Sequence, residues 1–351
     1  MSDEVWAEQD TSPAAIEAAL RQLLAARHAQ AGAVAPARVL NLVVVLDGRY
    51  RGEVENRLER VGRFHPSRTV LCAVEPGRRA LDAWASMATE DPRPGELAIT
   101  RERIEIDMGD RHLRGLETLV APLVVPDLAT LVWAPHGHHE AVQSLRRIAQ
   151  VVLVDSLSEP EVGAALDRAA ELAQDMYVVD LAWLRGTPWR ERVAAAFDPP
   201  EHRAALKSIG AVTVRHRHDS TASAALFCGW LAARLEWRPG ALMPRGEQLV
   251  GRARARRGDV KVTLCPVQQP GAPGLAGVTI EAADGSAVSL DRAPGGLREV
   301  RVARDGARRE FTVLGASRGE AGILGEGVRQ ALLRDRTYRP ALAAARELVG
   351  A

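Results

Sequence analysis

The sequence predicts an α/β N-terminal domain with a mostly parallel sheet, followed by an α+β C-terminal domain with an antiparallel sheet. Three observations carry this. From about residue 37 to 176, apolar runs of strand length alternate with amphipathic helical stretches, as in a sheet covered by crossover helices. Past residue 180 the strand-like runs follow one another, with Asp284-Gly285 and Asp305-Gly306 between them, a hairpin signal. A chain of 351 residues suits two domains rather than one. The change of pattern sets them at 1–178 and 179–351.

The elements follow in order. Ser12 and Pro13 read as a helix cap and first turn, ahead of the stripe Ile16, Leu20, Leu23 and Leu24. "ARVLNLVVVLD" (37–47) is a continuous apolar, β-branched run, the mark of a strand buried on both faces. "EVENRLERV" predicts an amphipathic helix, "SRTVLCAVEPG" a buried strand and "ELAITRERIEIDM" a half-exposed one. "HLRGLETLVAPLVV" reads as helical until Pro122, "LATLVWAP" and "VVLVDS" as strands, and "EAVQSLRRIAQ" as the helix between them. Ser158 and Glu161 have the spacing of a capping box before the next helix. Thr187 and Pro188 open a helix that ends at Pro199-Pro200. "AVTVRHRH" is a strand, and "TASAALFCGWLAARLEW" is apolar nearly all round, hence a buried helix. "RARARR" (252–257) reads as a solvated basic loop, and two helices close the chain at about 321–334 and 339–349.

Composition excludes several classes of function. The net charge is +1, with 46 basic against 45 acidic residues, so no broad field favours nucleic acid or an anionic membrane. No apolar run reaches membrane-spanning length. The acidic start "MSDEVWAEQD" lacks the basic and apolar segments of a signal peptide. Cys72, Cys228 and Cys265 form no CxxC or CxxxC pair, and the first two lie in apolar runs. Buried reduced thiols in a cytoplasmic compartment are expected.

The search for chemistry yields fragments. "GASRG" (315–319) matches a nucleophile elbow around Ser317, but the chain's last histidine is His218, so the downstream partner is missing. Neither a dinucleotide-binding G-x-G-x-x-G after the first strand nor a P-loop is present. "PHGHHE" and "RHRHD" offer His136, His138, His139, His216, His218 and Asp219 as metal ligands, without a known ligand spacing. A metal-dependent hydrolase or sugar-phosphate enzyme built on these two clusters is the enzymatic alternative. On the bland reading His216 and His218 simply share a solvent-facing strand side. A sugar-phosphate- or nucleotide-binding sensor is a third possibility.

Six blocks in series, "RVLNLVVVLD", "FHPSRTVL", "PLVVPDLATLVWAP", "DLAWLRGTPWR", "LFCGWLAARLEW" and "LLRDRTYRPALAAARELV", resemble the family of glucose-6-phosphate dehydrogenase assembly proteins, OpcA. The resemblance spans nearly the whole chain. Trp133-Ala134 stands where the family often carries a tryptophan pair. The resemblance implies a non-catalytic, cytoplasmic partner that binds glucose-6-phosphate dehydrogenase and promotes its assembly or allosteric activation. It implies no cofactor, no bound metal, no nucleic acid and no membrane. Trp and Arg are the residue types enriched at interface hot spots, which makes Trp133, Trp183, Arg185 and Arg190 the partner-binding candidates. Trp189, Val193 and Phe197 share one helix face, and Trp189 and Trp230 are expected in the core.

Overall fold

The computed structural model describes residues 4–31, 38–62, 66–89, 100–268, 271–314 and 319–350. The first half of the chain runs β1 (Glu4–Glu8), α1 (Pro13–Ala31), β2 (Leu40–Asp47), α2 (Arg51–Gly62), β3 (Ser67–Val74), β4 (Asp82–Thr89) and β5 (Thr100–Met108). It continues through α3 (Leu116–Val120), β6 (Thr130–Trp133), α4 (His139–Leu145), β7 (Val151–Val154), α5 (Val162–Asp175) and β8 (Tyr177–Asp180). The second half opens with α6 (Leu181–Arg185), α7 (Thr187–Phe197), α8 (Pro200–Arg203), β9 (Ile209–Arg217) and α9 (Thr221–Leu235). Then come β10 (Arg238–Pro239), β11 (Met243–Arg245), β12 (Gln248–Ala255), β13 (Gly258–Val267) and β14 (Leu275–Ala282). The chain closes with β15 (Ala287–Ala293), β16 (Gly296–Val302), β17 (Arg308–Leu314), α10 (Gly319–Leu333) and α11 (Tyr338–Val349).

Two compact units result. The first holds Met1–Val154, Asp175–Val179 and Leu324–Leu333; the second holds Asp155–Gln174, Asp180–Ile323 and Arg334–Ala351. Thus nearly all of α5 counts with the second unit and most of α10 with the first, on opposite sides of the 178/179 division read from the sequence.

The first sheet has eight strands in the order β1-β4-β5-β3-β2-β6-β7-β8. β2 pairs in parallel with β3 and β6, β3 with β5, and β6 with β7. Every residue of β2 except Asp47 is buried, which is why that stretch is an unbroken apolar run. The sheet is mixed, because β1 and β4 add an antiparallel edge beside β5. Neither was read from the sequence. In β4, Ala83, Ala85 and Met87 are buried, but alanine is a weak strand signal. In β1 two of the five residues are glutamates.

Other local expectations need correction. "HLRGLETLVAPLVV" is not one helix: a 3-10 turn (Asp110–Gly115), the single turn α3 and another 3-10 turn (Ala121–Leu123) replace it. Gly115 and Pro122 break the run. α5 starts at Val162, so Ser158 lies in the preceding turn, its N–H donating to the Asp155 carbonyl, and caps nothing. The Ser12 cap is present, its hydroxyl accepting from the Ala15 N–H at 3.2 Å.

The second sheet has nine strands, ordered β10-β12-β13-β9-β14-β15-β16-β17 with β11 on β12. The only parallel pairing in its registers is β9 with β13. Gly285 and Gly306 take the positive φ (+86° and +83°) that the turns joining β14 to β15 and β16 to β17 require. Val212, Val214 and His216 of β9 are buried and alternate with half-exposed Thr213, Arg215 and Arg217. "RARARR" is not a loop. Its first four residues lie in β12, with Ala253 buried and Arg252 and Arg254 exposed, as a period of two demands. Helix α9 is buried along most of its length and packs on α11 and on β9 and β13.

Candidate functional site

In the second unit, "DLAWLRGTPWR" forms α6, Gly186 and the start of α7. Asp180 caps α6. Its Oδ1 accepts from the Ala182 N–H at 2.9 Å and the Ser156 N–H at 3.1 Å, and its Oδ2 from the Ser156 hydroxyl at 2.6 Å and the Tyr338 hydroxyl at 3.1 Å. Burial pushes this carboxyl above its ordinary value, and the hydrogen bonds oppose that push. Arg185 makes a two-pronged pair with Asp155, both contacts 2.8 Å. The Trp183 indole N–H donates to Asp335 Oδ2 at 2.9 Å, and its ring meets Tyr338 edge-on at 5.6 Å. Arg190 lies over the Trp183 ring at 3.3 Å while donating to the Trp183 carbonyl at 2.8 Å and the Thr187 hydroxyl at 2.9 Å. Burial pushes the Arg190 guanidinium down to about 9, which leaves it charged at neutral pH.

The four partner-binding candidates are therefore interior groups. Trp183 and Trp133 are 2% exposed, and Arg185 and Arg190 8%. Trp183, Arg185 and Arg190 come together in one network; Trp133 lies in the other unit, at the end of β6 between Val44 and Leu153. Sequence reading missed Asp155, Ser156, Asp335 and Tyr338, although "RDRTYRP" carries two of them. Trp189, Val193 and Phe197 are buried on α7. Trp230, expected in the core, is half-buried, its ring 5.5 Å from Phe227. Ser317 lies outside the described residues.

The histidine clusters belong to different units. In the first, the Asp47 N–H donates to His136 Nδ1 at 3.1 Å, and Tyr50 stacks on the imidazole at 4.6 Å. His138 Nε2 is 2.9 Å from Asp47 Oδ1 but without hydrogen-bond geometry. His139 opens α4. In the second, His216 and His218 do not share a solvent-facing strand side: His216 is buried and His218 exposed in the turn after β9. Among the described residues no group of three or more metal-capable side chains gathers.

Burial, assisted by His138 and Arg57 and opposed by Asp47 and Glu53, holds His136 below 6.5. A folded-state value below the unfolded one means the fold is favoured above pH 6.5 and loses that contribution as the pH falls through the folded-state value. Urea unfolding between about pH 7.5 and about pH 5.5, roughly one unit either side of an ordinary histidine, should show declining stability. His136→Gln should flatten that decline.

Two concavities lie within the second unit. One, of about 650 Å³, is floored by Phe197, Ile280 and Val288, with Arg304, Asp305 and Arg309 also in its lining. The other, of about 670 Å³, contains His216 and His218.

Comparison with known proteins adds to this geometry. Residues 58–171 match the family model described as glucose-6-phosphate dehydrogenase subunit N-terminal domain, and residues 176–342 match its C-terminal counterpart. The chain belongs to the OpcA family. An OxPP cycle protein OpcA of Synechococcus elongatus is 31% identical over 183 residues, 50% of this chain and 41% of that relative. One from Nostoc punctiforme is 36% identical over 125 residues, 34% of this chain and 27% of that relative. The matched stretches thus span less than half of these OpcA relatives. An apo scyllo-inositol dehydrogenase from Lactobacillus casei aligns over 90% of this chain and 96% of its own at 10% identity. The TM-score of that alignment is 0.46. No helix among the described residues is long and apolar enough to cross a membrane.

Proposed function

We propose that this OpcA-family chain is a non-catalytic, cytoplasmic partner of glucose-6-phosphate dehydrogenase that promotes its assembly or allosteric activation in the oxidative pentose phosphate pathway. The observation that carries the reading is the pair of consecutive subunit-domain matches along 58–171 and 176–342. The buried network around Asp180 supports it. Arg185 is paired with Asp155, and Asp180 and Arg190 are held by neutral hydrogen-bonding groups, as in a device that shapes a surface rather than one that reacts. Trp183, Arg185 and Arg190 then serve docking from beneath, by fixing how α6 and α7 present their outer residues; Trp133 does the same for β6.

Size-exclusion chromatography of the chain mixed with the dehydrogenase from the same source tests this. A shared peak that elutes ahead of either protein alone is the expected result. Two unchanged peaks would count against the proposal.

A further inference from the structure

β9 and β13 are parallel, and their carboxyl ends open into the cavity of about 670 Å³ in the second unit. Its lining includes His216, His218, Thr221, Glu247, Leu264 and Gln268. That volume lies in the ordinary range of small-molecule sites.

Two independent features make it more than a gap. The first is His216, 2% exposed at the end of β9. Its Nδ1 is 2.8 Å from the Arg217 carbonyl, so Nδ1 carries the proton and Nε2 is left as an acceptor. Among the described residues Nε2 makes no hydrogen bond and is not sealed from solvent, so it is open to the cavity that His216 lines. Burial lowers the basicity of the ring and keeps it neutral. A ring nitrogen carried by a buried imidazole and open to a cavity offers its lone pair to a donor there, and a ligand hydroxyl supplies one.

The second is the start of α9, at Thr221 in the cavity wall. The Ser220 hydroxyl donates to Asp219 at 3.0 Å and accepts from the Gly274 N–H at 2.9 Å, so no side chain caps the first turn. Asp219 itself is held by the Arg217 guanidinium. A helix of 15 residues whose first turn has no side-chain cap thus begins at the cavity wall, with the positive end of its dipole there. His218 stands beside this end, and Glu247 lies in the lining. A carboxylate there repels an anion and accepts hydroxyls, which gives the cavity a polarity.

We propose that this cavity is a binding site for a phosphorylated polyol of the sugar-phosphate class. Its phosphate sits on the first turn of α9, and its hydroxyls face His216 Nε2, Glu247 and Gln268. The site belongs to the second unit alone, so it stands or falls separately from docking to the dehydrogenase.

Isothermal titration calorimetry of the full chain with glucose 6-phosphate, inorganic phosphate and glucose tests it. Glucose 6-phosphate is expected to bind at least about tenfold more tightly than inorganic phosphate, because only the ester offers hydroxyls. Glucose alone should give no measurable heat. Thr221→Asp places a carboxylate on the first turn, which favours the helix while repelling the phosphate; it should abolish binding with thermal unfolding unchanged or raised. His216→Phe, which keeps the bulk and removes Nε2, should weaken binding about tenfold. No binding of glucose 6-phosphate at millimolar concentration would overturn the proposal. So would equal binding of inorganic phosphate, or undiminished binding by the Thr221→Asp variant.

Discussion

Gly229→Val is expected to destabilise the second unit by about 3 kcal/mol or more. A Cβ at Gly229 would lie 2.2 Å from the Ala341 carbonyl oxygen and 2.8 Å from the Ala345 amide nitrogen. Both are backbone atoms of α11, so no side chain can swing aside to relieve the contact. The two helices approach closely only because α9 offers glycine there, flanked on α11 by Ala341, Ala344 and Ala345. Gly325→Ala is the control. Gly325 also lies in a helix, but nothing stands within 4 Å of its would-be Cβ. That substitution should raise stability by about 0.5–1 kcal/mol through backbone entropy. Thermal unfolding followed by circular dichroism distinguishes the two. A Gly229→Val protein as stable as the parent would mean that α9 and α11 do not pack as described.

Asp180→Ala is expected to cost about 3–5 kcal/mol. The carboxylate is the shared acceptor of two backbone N–H groups and two hydroxyls, supplied by Ser156, Ala182 and Tyr338 from three stretches of the second unit. Its removal leaves those donors without their acceptor in a buried site. Tyr338→Phe removes one donor and leaves the carboxylate with three, so its cost should be about 1 kcal/mol. Chemical denaturation of both variants gives the comparison. Equal effects would show that Asp180 is not the hub of the network. Asp180→Ala should also weaken binding to the dehydrogenase if α6 and α7 form part of the docking surface.

The reach of the sequence is clearest in contrasting elements. β2, β3, β6 and β7 announce themselves because a strand covered on both faces must be apolar throughout. The hairpin turns at Asp284-Gly285 and Asp305-Gly306 are legible because a tight turn needs positive φ, and glycine supplies it. β1 and β4 were illegible, since an edge strand tolerates charge and small residues. "DLAWLRGTPWR" was recognisable as a signature but misleading as a surface. Trp183 looks like a docking group until Asp335 and Tyr338, some 150 residues away in the chain, prove to be its partners, and Arg185 until Asp155 proves to hold it. Separation along the chain, here from His216 to Gln268, also hid the cavity around His216. Alternation along β9 shows which residues share a side, but not that α9 would cover that side and bury an imidazole there.

Partnership with glucose-6-phosphate dehydrogenase is read on the enzyme itself. The chain is titrated into the dehydrogenase from the same source at sub-saturating glucose 6-phosphate, and NADPH formation and sedimentation are read on the same samples. The predicted result is a rate that rises to a plateau as a co-sedimenting complex of fixed stoichiometry forms, with no NADPH made by the chain alone. A dehydrogenase that sediments unchanged and turns over at an unaltered rate would rule the partnership out.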